Sequence, residues 1–137
     1  MASLMCNYQP PEINFMEFKT LIPNIFYADL SDGLKLFVDC LGFTIIYQKM
    51  NGQESPFCVV EKDYLKIHLV ENKEQAEKAR PELRLETNNI KEVYQRVKAS
   101  HPELLHPNLN KITTKPWKAK EFALLDESGV CIVIQEW

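Results

Sequence analysis

The stretch that decides the fold is the end of the chain, Lys115 to Trp137, which reads KPWKAKEFALLDESGVCIVIQEW. Within it, Lys118 to Asp126 (KAKEFALLD) alternates its side chains between two faces, as a β-strand does. Val130 to Ile134 is an apolar, β-branched run of strand length. Asp126 to Gly129 lies between them and has turn chemistry, with a glycine able to take a positive φ. The stretch therefore predicts two adjacent strands joined by a tight turn.

The same pattern occurs earlier in the chain. Phe57 to Asp63 (FCVVEKD) corresponds in character to Phe122 to Ser128 (FALLDES). Tyr64 to Glu71 (YLKIHLVE) then corresponds to Gly129 to Glu136 (GVCIVIQE), strand against strand. An internal repeat of this kind indicates that one structural unit is used twice.

The segments upstream of these strands repeat as well. Residues 24–43 and 83–100 each read as a strand, a polar break and an amphipathic helix. Each half of the chain therefore reads strand, helix, strand, strand, strand. We predict one domain over residues 21–137, built from modules at about 21–72 and 81–137.

The helix and strand signals of the first module are specific enough to test. Ser31-Asp32 is a plausible N-cap for the first helix. In the second strand, Phe43, Ile45 and Tyr47 are predicted to share one face. Asn51-Gly52 is a hairpin signal that leads into the third strand.

Residues 1–20 precede the repeat and contain Pro10-Pro11 and scattered aromatic residues. A loose tail is one interpretation of this segment. The apolar residues between Ile13 and Phe18 favour a partly ordered arm that adds a strand or packs on a partner subunit. We therefore predict an N-terminal arm over residues 1–20 and a homodimer.

Composition limits the classes of partner. The 137 residues carry a net charge of −3, so no broad basic surface is available for nucleic acid or anionic lipid. No apolar run is long enough to span a bilayer, and the start lacks the order of a signal peptide, so we expect a cytoplasmic location. The cysteines lack C-x-x-C spacing and are predicted to be reduced core thiols: Cys6, Cys40, Cys58 and Cys131.

Several ordered motifs resemble the glyoxalase / bleomycin-resistance / dioxygenase (vicinal oxygen chelate) superfamily. Asp39 to Phe43 (DCLGF) resembles its helix-to-strand LGF signature. Pro116-Trp117, followed by Lys120 to Leu124 and then Asp126 to Gly129, resembles a block of the bleomycin-resistance branch. The resemblance covers residues 21–137 and implies an α+β fold in which two βαβββ modules form a curved eight-stranded cup. A ligand would then lie on the concave side.

The resemblance also indicates where a metal would bind. In the metal-dependent members, His, Glu or Gln side chains on the first, fourth, fifth and eighth strands converge on one divalent ion. The corresponding positions here are Ile22, His68, Glu82 and Val133. If the register of the fourth strand slips, Lys66 replaces His68. Because isoleucine and valine have no donor atoms, we predict no metal, with His68 and Glu82 as weak candidates only.

The bleomycin-resistance branch suggests a binding groove instead. There, aromatic side chains stack on planar groups of the drug and acids meet its cationic tail. Here Glu121 and Glu61 would supply the negative charge. The predicted ligand-binding residues are Trp117, Tyr47, Phe57, Glu121 and His68.

Each of these residues also has a plain structural interpretation. Tyr47 and Phe57 are equally compatible with core packing, and His68 with a half-buried strand histidine that has a hydrogen-bond partner. Trp117 lies in a loop beside Lys115, Lys118 and Lys120, which dilute the acidity expected of a trap for a cationic drug.

Two functions from different classes follow. The first is a metal-free protein that sequesters a planar or cationic small molecule in a groove, without a cofactor and without enzymatic activity. The second is a divalent-metal-dependent lyase, isomerase or dioxygenase-like enzyme of the same superfamily. Sequence motifs of other catalytic classes, such as G-x-S-x-G and H-E-x-x-H, are absent.

Overall fold

A computed structural model describes residues 7–8, 16–50, 55–78 and 80–137. These ranges contain eight strands: β1 (Asn24–Tyr27), β2 (Thr44–Lys49), β3 (Phe57–Lys62), β4 (Leu65–Glu71), β5 (Glu82–Glu86), β6 (Thr113–Thr114), β7 (Lys120–Leu125) and β8 (Cys131–Glu136). They also contain three α-helices: α1 (Leu30–Leu34), α2 (Lys73–Lys78) and α3 (Ile90–Ser100). The Asn51-Gly52 signal and the apolar start of the arm lie outside the described residues.

The strands form two four-stranded sheets of identical topology. The first sheet has the order β1-β4-β3-β2 and the second has the order β5-β8-β7-β6. In each, the first and last strands of the module are parallel neighbours, while the other pairs are antiparallel. The prediction of an α+β fold made of two βαβββ modules is therefore confirmed. No described helix has the length and apolar character needed to cross a membrane.

The first helix begins differently from the sequence prediction. The cap is Asp29, whose Oδ1 accepts hydrogen bonds from the Ser31 backbone N–H at 3.0 Å and the Ser31 hydroxyl at 2.7 Å. The predicted Ser31-Asp32 cap is wrong because both residues already lie inside α1. After Leu34 the helix continues as a π-helical segment, Lys35–Cys40. Gly42 then takes a φ of 79°, which a glycine adopts without steric cost.

A bulge in β2 reverses the predicted direction of one side chain. Ile45 pairs with Val60, whereas Tyr47 pairs with the preceding residue of β3, Val59, so Ile46 is an extra residue in the ladder. Because neighbouring residues of β3 point to opposite faces, Ile45 and Tyr47 do so as well. The prediction that Phe43, Ile45 and Tyr47 share one face is therefore wrong for Tyr47.

The two modules share one hydrophobic core. In the first sheet, Ile25, Leu69 and Cys58 are in register and buried. Leu85, Ile134 and Phe122 form the equivalent row of the second sheet, and both rows belong to the same apolar cluster. Burial of each large side chain contributes about 1.5–3 kcal/mol.

Two polar contacts tie the modules together beside this core. The buried Tyr27 hydroxyl donates to Asp126 Oδ2 at 2.8 Å, and Asp126 Oδ1 accepts from the Val130 backbone N–H at 2.9 Å. At the surface, the Lys35 ammonium lies 2.9 Å from Glu103 Oε2. The aspartate thus joins the turn of the second module to the first strand of the other module.

The described cysteines are free thiols. Burial raises the pKa of Cys40 to about 11 and also raises the pKa of Cys58 and of Cys131. A raised thiol pKa disfavours the thiolate, which is the form that reacts and binds metals. These three residues therefore have the character of the reduced thiols expected from the sequence, while Cys6 lies outside the described residues.

Candidate functional site

Each sheet has one face turned away from the shared core, which we call its open face. On the first sheet, cross-strand pairing places Asn24, His68, Val59 and Tyr47 in one row of this face. Phe57 lies two residues from Val59 in β3 and therefore points to the same side. The β2 bulge is what places Tyr47 on this face.

Three rings on this open face form a continuous row. The ring centroids of Tyr47 and Phe57 are 5.4 Å apart, and those of Phe57 and His68 are 6.1 Å apart with an angle of 27° between their planes. Tyr47 is 53% exposed, and Phe57 and His68 are half-buried. The row presents aromatic groups against which a planar group can pack.

The open face of the second sheet contains a cavity of about 290 Å³. It is lined by Glu82, Arg84, His106, Asn108, Leu109, Lys115, Trp117, Glu121, Ala123, Cys131 and Val133. Two predicted ligand-binding residues, Trp117 and Glu121, belong to this set. The cavity combines an indole and a few apolar side chains with charged and neutral polar groups that can orient a ligand.

A tight turn holds Trp117 at this cavity. The Lys118 backbone N–H donates to the Lys115 carbonyl at 2.8 Å, and the Lys115 N–H donates to the Ala119 carbonyl at 2.8 Å. Lys118 takes a φ of 78°, a conformation that costs a residue other than glycine of order 1 kcal/mol. Trp117 is 51% exposed, so the turn presents the indole rather than burying it.

Arg84 organises the polar part of the cavity. Its Nη1 donates to Glu121 Oε2 and to Gln135 Oε1, each at 3.1 Å, while its Nη2 lies 3.6 Å from Glu82 Oε2. Glu121 is only 2% exposed, although it stands on the open face. A carboxylate buried this deeply needs a cationic partner, and Arg84 provides it.

Sequence reasoning missed Arg84, although a signal was present. The β5 sequence Glu82–Glu86 (ELRLE) alternates charged and apolar residues, so its charged residues all face the same side. In the structure, Leu83 and Leu85 pack against the core, and Arg84 therefore faces the cavity. An arginine between two glutamates on one face of a strand predicts the ion-pair cluster that is observed.

The predicted ligand-binding residues fall into two groups. Tyr47, Phe57 and His68 lie together on the first sheet, and Trp117 and Glu121 lie together at the cavity on the second. Among the residues that the structure describes, those that line the cavity all come from the second module. A single chain thus presents two separate surfaces, the row of rings on the first sheet and the cavity on the second, and we call each of them a half-surface.

The residues at the predicted metal positions do not fit a metal site. Ile22 precedes β1 and Val133 lines the cavity, and neither side chain has a donor atom. His68 stacks on Phe57, and Glu82 faces Arg84. Within the ranges that the structure describes, no group of three or more His, Cys, Asp or Glu side chains is arranged to hold a metal ion.

The absence of a resident metal remains a prediction. Protein purified without a chelator is expected to contain far less than one equivalent of zinc, nickel, iron or manganese, because only two of the four positions have donor atoms. Elemental analysis measures this directly. One equivalent of metal that is lost on His68→Ala would contradict the prediction and favour the alternative function, a metal-dependent enzyme.

Comparison with solved structures finds many proteins of the same fold. A bleomycin-binding protein crystallised with bleomycin has a TM-score of 0.68 and 15% identity, over 88% of this chain and 99% of that one. A glyoxalase family protein from Enterococcus faecalis has a TM-score of 0.66 and 14% identity, over 89% of this chain and 98% of that one. A Sphaerobacter thermophilus member of the glyoxalase/bleomycin resistance protein/dioxygenase superfamily has a TM-score of 0.67 and 17% identity, over 88% of this chain and 98% of that one.

Comparisons at the level of sequence give no match, either with a family model or with a curated protein. The structural similarity covers both modules and nearly the whole length of each neighbour, and it agrees with the LGF and Pro-Trp motifs quoted above. The chain therefore has the fold of the glyoxalase/bleomycin resistance/dioxygenase superfamily.

Proposed function

We propose that this protein binds a small molecule with a planar group and that its own residues provide no metal centre. The observation that carries the proposal is the half-exposed Trp117, held by a tight turn at a cavity that also contains the Arg84–Glu121 ion pair. The indole offers a stacking surface, and the polar groups offer orientation and specificity. A bleomycin-binding protein of the same fold, crystallised with bleomycin, supports small-molecule binding as one use of this fold.

We propose further that the complete groove forms in a homodimer. The ring row of Tyr47, Phe57 and His68 and the cavity at Trp117 are two half-surfaces on different sheets. A second copy that places its ring row over this cavity would enclose a planar ligand between two aromatic surfaces. Phe18 of the arm and Leu21 at the start of the domain are exposed and supply apolar surface for such a contact.

The dimer predicts a defined mass in solution. A chain of 16.0 kDa should give a species of about twice that mass in light scattering at micromolar concentration. Phe18→Asp is expected to shift the protein towards the monomer, because it places a charge in the contact. A monomer in the unmodified protein would contradict the prediction.

Ligand binding is expected to depend on Trp117 far more than stability does. Trp117→Ala should weaken the binding of a planar ligand about tenfold, because it removes a stacking surface. Since the indole is already half-exposed, we expect a loss of less than about 1 kcal/mol in the free energy of unfolding.

The readout is tryptophan fluorescence during titration with planar compounds. Trp137 is the only other tryptophan and is exposed, so Trp137→Phe isolates the Trp117 signal and serves as the matched control. Two results together would contradict the proposal: Trp117→Ala unfolds the protein, and no planar compound changes the Trp117 emission of the Trp137→Phe variant. Trp117 would then pack in the core, and the proposed function would be wrong.

A further inference from the structure

We infer that the planar ligand carries an anionic group, such as a carboxylate, and that Lys115 recognises it. This inference rests on the proposed function and specifies its ligand class. It starts from the charges that line the cavity of the second sheet, which are those of Glu82, Arg84, Lys115 and Glu121. Although these four charges sum to zero, they differ in whether they already have an oppositely charged partner within the protein.

Both carboxylates of the cavity face Arg84, Glu121 through a hydrogen bond and the half-exposed Glu82 through a longer ion pair. Glu121 Oε2 lies 3.1 Å from Arg84 Nη1, and Glu82 Oε2 lies 3.6 Å from Nη2. Glu121 is almost completely buried, so a cationic ligand could reach it only by displacing the guanidinium. That exchange would leave Arg84 with one carboxylate fewer. The buried acid of the cavity therefore does not form a ready site for a cation.

Lys115 is the cation of the cavity without such a partner. Within residues 16–50, 55–78 and 80–137, no carboxylate oxygen lies within 4.0 Å of its ammonium group. Its backbone closes the same turn that presents Trp117, and both side chains line the cavity. A ring stacked on the indole therefore lies beside an available positive charge.

A second residue that lines the cavity, His106, supplies a hydrogen-bond donor rather than an acceptor. The Asn108 backbone N–H donates to His106 Nδ1 at 3.0 Å, so this nitrogen carries no proton. The neutral imidazole then has its proton on Nε2, which is a hydrogen-bond donor. His106 and Lys115 thus both offer donors at the cavity, where the acceptors of Glu82 and Glu121 already face Arg84. This balance of groups matches a carboxylate and not an ammonium.

Three ligands with the same ring system test the inference. We choose 1-naphthoate, the neutral 1-naphthamide and the cationic 1-naphthylmethylammonium, and we measure their dissociation constants by isothermal titration calorimetry on the full chain. The naphthoate is expected to bind about tenfold more tightly than the amide, because it gains a charge-assisted hydrogen bond. The ammonium compound is expected to bind more weakly than both. Raising the salt concentration should reduce the difference.

Lys115→Gln is the decisive variant. It should remove the tenfold preference for naphthoate over naphthamide, because the naphthoate loses its charge-assisted hydrogen bond while the stacking surface that both ligands use remains. Lys111→Gln is the matched control, since Lys111 is an exposed lysine of the same segment that does not line the cavity. We expect the control to keep the preference, and thermal unfolding verifies that both variants remain folded.

The possible outcomes separate the inference from the proposed function. If the ammonium binds as tightly as the naphthoate or more tightly, the protein binds planar ligands but the anionic class is wrong. If Lys115→Gln keeps the preference for naphthoate, Lys115 is not the recognising group and the inference fails. If none of the three compounds binds, the inference fails together with the planar-ligand function.

Discussion

Arg84→Ala is expected to lower the free energy of unfolding by about 2–3 kcal/mol. The reason is not the loss of a surface ion pair, which is worth about 0–1 kcal/mol. It is that the substitution leaves the Glu121 carboxylate, 2% exposed, without the guanidinium that donates to its Oε2 at 3.1 Å. Because Arg84 itself is about half-exposed, water partly replaces it, and the expected loss is smaller than for a fully buried pair.

A second substitution distinguishes this cause from a general loss of packing. Arg84→Ala combined with Glu121→Gln should recover most of the stability, because a neutral amide costs less to bury than an unpaired charge. Arg96→Ala is the matched control, since Arg96 pairs with Glu92 at 3.2 Å on the exposed surface of α3 and should lose no more than about 0.5 kcal/mol. Urea denaturation measures all three differences. If the double variant is no more stable than Arg84→Ala, unpaired charge is not the cause.

Tyr27→Phe is expected to lower the free energy of unfolding by about 1–3 kcal/mol, because it removes the hydroxyl that donates to the buried Asp126. The two residues are 99 positions apart and join the modules, so the loss should appear in global unfolding. Tyr94→Phe is the matched control: its hydroxyl donates to the Asn110 carbonyl at 2.8 Å in an exposed position and should contribute less. Equal losses for the two variants would contradict a special role for the buried contact.

The same aspartate predicts a dependence of stability on pH. Burial raises the pKa of Asp126 above its ordinary value of 3.8, and the hydrogen bonds from Tyr27 and Val130 oppose this rise only in part. The native state therefore binds more protons than the unfolded state, so this residue's contribution to stability falls as the pH rises above 3.8 through the native pKa. Burial and the charge of Asp29 raise the pKa of Asp32 as well, with the same sign.

The difference between wild type and Asp126→Asn reports mainly this contribution, because titrating groups that do not interact with Asp126 cancel. We expect wild type to lose stability relative to the asparagine variant as the pH rises from 3.8 towards neutrality. Urea denaturation at several pH values within this range measures it. A difference that is constant across the range would show that Asp126 has the same pKa in both states.

The sequence by itself determined the architecture of this protein. The repeat of FCVVEKD and FALLDES, with its alternating and β-branched runs, predicted two modules of equal topology, and the structure has them. Such patterns are readable because the hydrophobic period of a strand or helix is a local property. The loop carrying Trp117 was also readable, since its lysines and proline mark it as exposed.

Only the tertiary structure decided how the site residues are grouped. The β2 bulge turns Tyr47 to the open face, and no local period announces a bulge. Two contacts join residues that are far apart in the sequence: Arg84 and Glu121 are 37 positions apart, and Tyr27 and Asp126 are 99 positions apart. These contacts depend on how the strands and modules come together. The separation of the ring row from the Trp117 cavity has the same origin. Each half-surface follows from the pattern of its own strands, but their relative position follows from the shared core, which is a property of the whole chain.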